Sequence, residues 1–324
     1  MKLSEAVREF IFDRETFCTA KTVSNYKSTL KYFSEYIYSV HGDIEIVDIS
    51  VDDLKGYVHF LKNRKKLQSH PYMPTQNKRI TDTSIRTYLI DVRAFFNYLY
   101  SNDLVKEYIF KKFKLVRREK KLVLPLTVEQ VQLIDDLYSE HEEKALRNWC
   151  IIHLMLDAGF RVGDVVNFTD DCFDYKNNCL IVKYGKGRKD RLVPLAFNLK
   201  IKLYSYIYLY RRGSSDHTFL SFRCGSSLQR SGSELKCVTH NTIKCLFASI
   251  RSKTGLYPLY PHLLRHTFAT SFVMGGGNLE FLRFYMGHED IQTTQTYLHL
   301  AAVLKARGSN IYKLDKIFFT DFSY

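Results

Sequence analysis

The sequence predicts a mainly α-helical chain in two parts: a helical bundle, then a mostly helical domain carrying one small antiparallel sheet. Three observations predict this class. Apolar residues recur at helical spacing through roughly the first 110 residues. Only one pair of segments carries a clear β signal, CLIVKY (179–184) and RLVPL (191–195). Between the halves lies KKFKLVRREKKLVLPL (111–126), in which eight of the first eleven residues are Lys, Arg or Glu. That composition marks an exposed linker.

The elements follow in order. Thr22 to Val40 places Val23, Tyr26, Leu30, Phe33 and Ile37 on one helical stripe. Ser50-Val51-Asp52-Asp53 opens a second helix through Leu61, with its acids at the positive helix end. The stretch NRKKLQSHPYMPTQNKR, with its two prolines, reads as a basic loop. Thr83 to Tyr100 is a third helix, burying Ile85, Tyr88, Leu89, Val92, Phe95, Phe96 and Leu99. Four to five helices in a small basic bundle are expected here. Beyond the linker, Thr127 to Gln130 is a capping box that opens a helix. Lys144 to Ala158 is a buried helix stopped by Gly159. GKGRKD between the two β segments reads as the tip of a basic hairpin. Helices resume from Leu199, then at Asn241–Lys253 and Pro261–Met274, the last ended by Gly275-Gly276-Gly277. The expected division is a helical domain at 1–112, a basic linker at 113–126, and a second domain with a C-terminal tail at 127–324.

Composition narrows the function. Of 324 residues, 45% are hydrophobic and 15% aromatic, so a large core forms and overall disorder is excluded. No window reaches the ~18 uninterrupted apolar residues of a membrane span. The N-terminus mixes charges into its apolar positions, unlike a signal peptide. Seven cysteines lack any CxxC spacing. They read as free thiols in a reducing compartment, which points to the cytoplasm. Lys plus Arg is 48 and Asp plus Glu is 34, a net charge of +14. Such an excess suits a polyanion, and nucleic-acid backbones are the commonest large one.

Three clusters in the second half carry reactive groups. Arg161 and Asp164 lie in GFRVGD, just past a buried helix. His262 and Arg265 lie in PHLLRH, three apart and so on one helical face. His288 follows Gly287, and Tyr297 comes nine residues later. The hairpin tip adds Lys186. Each signal alone is weak: a lone arginine is usually an ion-pair partner, and most of the 23 tyrosines must be fillers. Together they fit one reaction. Two arginines can clamp a phosphate and stabilise the charge that builds at phosphorus. A phenol can attack it, and a lysine or histidine can protonate the departing oxygen. No carboxylate cluster for magnesium, no Cys/His cluster for zinc and no P-loop is visible. The expected chemistry is phosphoryl transfer through phosphotyrosine, without metal or cofactor.

The strings GFRVGD, YGKGRKDRLVPL, PHLLRHTFAT and MGHEDIQTTQTYLHL resemble the tyrosine recombinases, also called phage integrases, with Xer-type recombinases and mobile-element integrases most similar. The resemblance covers residues 120–300 by strings and the first half by helical pattern. It implies a core-binding helical domain and a catalytic domain that close around duplex DNA at an inverted-repeat core site. It further implies a synaptic tetramer of identical or paired protomers. By motif position, Tyr297 would form the 3′-phosphotyrosyl link and Arg161 and Arg265 would hold the scissile phosphate. Lys186 would be the acid to the leaving 5′-oxygen. His262 would assist proton transfer at the tyrosine, and His288 would bond the phosphate and orient the nucleophile. Spacing alone does not choose among Lys183, Lys186 and Lys189; the glycine-lysine-glycine tip matches Lys186. His266 reads as packing. Asp164 stands where the family usually has glutamate and is expected to cap a helix or support the site. Ile317, Phe318, Phe319 and Phe322 form an apolar plug that docks either on a neighbouring subunit or on its own chain. Two other functions fit the same residues, a nicking-closing topoisomerase and an idle DNA-binding protein.

Overall fold

The structure, a computed structural model, describes residues 1–66, 68, 74–116, 122–139, 142–183, 190–211, 217–219, 237–288 and 290–319. The chain forms two compact units, Met1–Lys121 and Leu122–Tyr324.

The first unit holds α1 (Leu3–Phe17), α2 (Ala20–His41), α3 (Val51–Asn63) and α4 (Asp82–Ser101). Hydroxyl side chains start three of them by accepting otherwise unpaired backbone N–H groups. Thr19 accepts from Thr22, Ser50 from Asp53 and Thr81 from Ser84. Asp53 also accepts from the Ser50 backbone, completing a capping box. The α4 stripe read from the sequence is buried at Ile85, Leu89, Val92, Phe95, Phe96 and Leu99. It meets Phe10 of α1 and Phe33 of α2, with Phe10 edge-on to Phe95 at 5.5 Å. The charged stretch expected to be an open linker begins as part of this unit. Phe113, Leu115 and Val116 pack on its core, and Arg86 donates to the Val116 carbonyl at 2.8 Å. Apolar residues between the charges make that anchoring possible. Residues 117–121 lie outside the described set.

The second unit contains α5 (Val128–Asp136), α6 (Glu143–Leu156), α7 (Val162–Val166), β1 (Phe173–Asp174), β2 (Cys179–Val182) and β3 (Arg191–Pro194). It continues with α8 (Phe197–Tyr206), α9 (His240–Thr254), α10 (Pro261–Met274), α11 (Leu279–Met286) and α12 (Ile291–Ala306). The Thr127–Gln130 capping box forms as read. Helix α6 is buried continuously from Arg147 to Leu156 and packs against α8 and α10. The sheet is antiparallel in the order β1-β2-β3, with Leu180 opposite Val193. Strand β1 leaves no signal in the sequence, because two residues are too few to show alternation. The hairpin tip, with Lys186 and Lys189, lies outside the described residues. Gly159 has φ +64°, and a Cβ there would meet the Phe268 ring at 2.6 Å. Only glycine lets the chain turn that close to α10.

The segment after α12 folds back on its own unit. Tyr312 donates its backbone N–H to Leu126 at 3.1 Å, and Val128 donates to Asn310 at 3.2 Å. Phe318 is buried against Phe268, Phe272 and Tyr285. Phe319 fills the space a Cβ on Gly275 would need, 2.3 Å away. Of the plug residues, 317–319 therefore dock in cis; Phe322 lies outside the described residues.

A charged clasp holds this return. His153 on α6 is bonded at Nε2 to Asp135 of α5 and at Nδ1 to Asp157, each at 2.7 Å. The Tyr312 hydroxyl donates to the other Asp157 oxygen at 2.8 Å. The imidazole stacks on Trp149 with ring centres 3.6 Å apart.

Candidate active site

The site is built around the C-terminal end of α11. A helix end leaves its last carbonyls without intrahelical donors and carries partial negative charge. Three consecutive carbonyls here each receive one arginine. Arg191 donates through Nε to Tyr285 at 2.8 Å, Arg265 donates to Met286, and Arg161 donates to Gly287 at 2.9 Å. The α11 terminus thus collects guanidiniums from β3, α10 and the N-cap of α7.

Each arginine has a second tether. Arg265 also donates to the Gly159 carbonyl at the turn after α6. The positive φ of Gly159 makes that turn possible. Asp164 accepts from Arg191 at 2.6 Å and from the Arg161 backbone N–H at 2.9 Å through one carboxylate oxygen. Asp164 therefore fills both roles open to it: it caps α7 and braces the arginines. Gly287, with φ +56°, closes α11 in the left-handed conformation and delivers His288 beside Arg265.

Arg191 was not singled out in the sequence, although it begins the second β segment. The signal is its place in the alternation. Arg191 and Val193 share the buried face of β3, whereas Leu192 between them points outward. A charged residue in register with core positions needs a buried partner. Replacing Arg191 with Ala strands Asp164 and frees the Tyr285 carbonyl. It should destabilise the second unit by about 3–5 kcal/mol. Urea unfolding followed by Trp149 fluorescence, the chain's single tryptophan, measures it. A change below roughly 1 kcal/mol would mean the bridge is only a surface contact.

Three more residues read from the sequence, His262, His288 and Tyr297, arrive at the same place, while Lys186 lies outside the described residues. His262 occupies the first turn of α10, after Pro261 at the first helical position. Its imidazole is open to solvent on one side. The surrounding protein mass, then Arg265 and Arg161, lower its pKa, so it rests neutral. His288 lies with Nε2 3.4 Å from an Arg265 nitrogen and Nδ1 3.0 Å from the Thr294 hydroxyl oxygen. Burial, with Arg265, Arg161 and Arg191 after it, lowers its pKa to about 4. Arg265 is pressed down to about 9, first by burial and then by the neighbouring guanidiniums, and it stays protonated at neutral pH. Tyr297 of α12 lies within the electrostatic reach of both Arg265 and Arg161. Burial raises its pKa and the two guanidiniums oppose the rise, so the phenol rests protonated. One side of its ring is set by His266, 5.2 Å away between centres. His266 itself bonds the Val123 carbonyl at 2.7 Å and is a packing residue.

Lys183 is paired with Asp171. Beside Arg161 and His262 opens a cleft of about 660 Å³, whose far wall is α9 with His240, Lys244 and Arg251. Its charged lining is cationic, which suits an anionic occupant. Among the described residues no group of three or more His, Cys, Asp or Glu could hold a metal ion.

Comparison with known proteins agrees with this geometry. Residues 125–303 match the phage integrase family, and residues 2–115 match the phage integrase SAM-like domain. The chain is 28% identical over 283 residues to a tyrosine recombinase of Pseudothermotoga lettingae, covering 86% of this chain and 87% of the relative. It is 24% identical over 302 residues to tyrosine recombinase XerD of Listeria monocytogenes, covering 91% and 92%. The fold is similar to that of the Tn1549 transposon integrase in complex with circular intermediate DNA, with TM-score 0.72, 17% identity, and 94% and 99% of the two chains covered. It is also similar to a lambda integrase dimer bound to a core site, with TM-score 0.69, 15% identity, and 92% and 95% covered. With more than half its length matched by the family, and with three arginines gathered at one helix end, the chain belongs to the phage integrases, the tyrosine recombinases.

Proposed function

We propose that this chain is a site-specific DNA recombinase that breaks and rejoins strands through a phosphotyrosine. The observation that carries the reading is the gathering of Arg161 and Arg265 on consecutive carbonyls at the end of α11, with Tyr297 within reach of their charge. Related integrases are seen on DNA, and the net charge of +14 suits the same partner.

In the proposed reaction Arg161 and Arg265 hold the scissile phosphate. Their carbonyl tethers leave the guanidiniums preorganised, so little reorganisation is needed as charge builds on the phosphoryl oxygens. The Tyr297 oxygen attacks phosphorus and forms the new P–O bond. Its proton leaves toward a neutral imidazole, a role proposed for His262, whose pKa is lowered by burial and the two arginines. The bond to the 5′-oxygen breaks, and that oxygen takes a proton from Lys186 at the hairpin tip, a role resting on the family pattern. Attack by a 5′-hydroxyl of the partner strand reverses these steps and restores Tyr297. One phosphodiester is exchanged for another, so no nucleotide is consumed.

The proposed substrate is duplex DNA with an inverted-repeat core site, engaged by the helical unit and the catalytic unit together. The proposed assembly is a tetramer joining two sites. The proposed compartment is the cytoplasm, and the described cysteines, all unpaired, suit its reducing conditions.

A nicked suicide substrate tests the reading. Wild-type protein should form a covalent DNA adduct, and Tyr297→Phe should form none while still shifting the duplex in a gel. An adduct that persists in Tyr297→Phe assigns the nucleophile elsewhere.

A further inference from the structure

His288 is held at both ring nitrogens, and the two contacts are not equivalent. Nε2 faces an Arg265 nitrogen at 3.4 Å. A guanidinium only donates, so the nitrogen facing it must accept. In a neutral ring the proton then sits on Nδ1, 3.0 Å from the Thr294 hydroxyl oxygen. Thr294 is fully buried on α12. Resting on the reading that this cluster binds the reacting phosphate, we propose that Thr294 is a positioning residue. Its hydroxyl oxygen accepts the Nδ1 proton of His288 and holds the ring as the tautomer whose Nε2 lone pair faces Arg265.

Two features make the assignment specific. The opposite tautomer would aim an N–H at a guanidinium N–H and leave Nδ1 to accept from the threonine. Its cost is a repulsive contact beside three positive groups. The second feature is helical register. Thr294, Tyr297, Ala301 and Leu304 recur at the three- and four-residue spacing of one face, the face by which α12 docks. The docking that brings Tyr297 within reach of the arginines' charge therefore also brings the Thr294 oxygen to His288. On this view His288 does not offer the phosphate a proton before DNA arrives. In this resting state it steadies the Arg265 guanidinium.

Imidazole nitrogen NMR of the full-length protein with labelled histidine tests this, with the His288 signals identified by their loss in His288→Gln. Wild type at neutral pH should carry its proton on Nδ1, with Nε2 unprotonated. Thr294→Val, of nearly the same shape but without the acceptor, should move protons toward Nε2 and slow adduct formation on the suicide substrate about tenfold or more. Thr294→Ser should restore both. A proton on Nε2 in wild type overturns the proposal, whether or not the valine variant folds. So does Thr294→Val that keeps the wild-type tautomer, or that cleaves as wild type despite a changed one. The spectrum needs no DNA. If wild-type protein forms no adduct at all, the recombinase reading fails while the tautomer assignment stands or falls on its own.

Discussion

Arg265→Ala abolishes strand cleavage, slowing adduct formation by about a thousandfold or more, and leaves duplex binding within a few-fold of wild type. The reason lies in what Arg265 does that no other cation here can do. The residue is 4% exposed, and its guanidinium is desolvated and fixed by the Gly159 and Met286 carbonyls. A phosphate entering this position meets a charge already aimed and stripped of water, where electrostatic stabilisation is strongest. Affinity for the duplex, by contrast, is spread over many of the 48 Lys and Arg residues. Arg265→Lys should cleave little better than the alanine variant, because an ammonium keeps the charge but cannot span two carbonyls and a phosphate at once. Trp149 fluorescence checks that each variant folds. Equal losses of binding and cleavage would mean that Arg265 serves general backbone contact rather than the reacting phosphate.

The second large effect concerns stability. His153 is buried between Asp135 and Asp157, and its pKa rises to about 9. Burial alone would lower it; the two carboxylates and their hydrogen bonds outweigh that cost. A folded pKa above the free-imidazole value of about 6.5 means the folded state holds the proton more tightly than the unfolded chain. The stabilisation is therefore complete below about pH 6.5 and is lost as pH rises through about 9, a fall of up to about 3 kcal/mol. Because Trp149 stacks on the imidazole, its fluorescence reads the unit that contains the clasp. The urea midpoint should fall between pH 6.5 and 9.5 in wild type. His153→Ala should cost about 3–5 kcal/mol at neutral pH, by leaving two carboxylates without their cation, and should flatten the pH dependence. A wild-type midpoint that is constant or rises across this window would show that the imidazole is neutral in the fold. Asp157 also receives the Tyr312 hydroxyl, so weakening the clasp loosens the segment that follows the Tyr297 helix.

Much of this protein was legible in its residues alone. Helical spacing located α4 and α10 to within a residue or two, because a helix is decided by neighbours three and four positions away. The local strings singled out Arg161, His262, Arg265, His288 and Tyr297, and the fold brings all five together. The reactive groups were visible because each sits beside a chain feature that sequence displays: a glycine turn, a proline at a helix start, a helix end. What the residues could not show is who holds them. The Arg191–Asp164 bridge, the sharing of three α11 carbonyls among three arginines, and the clasp that ties Tyr312 to α6 join positions 27 to 155 residues apart. The docking of residues 317–319 on their own unit was likewise undecided until the space beside Gly275 was known. A buried polar group must find a partner, but nothing local specifies which one. That choice is made only when packing brings distant segments within hydrogen-bond reach.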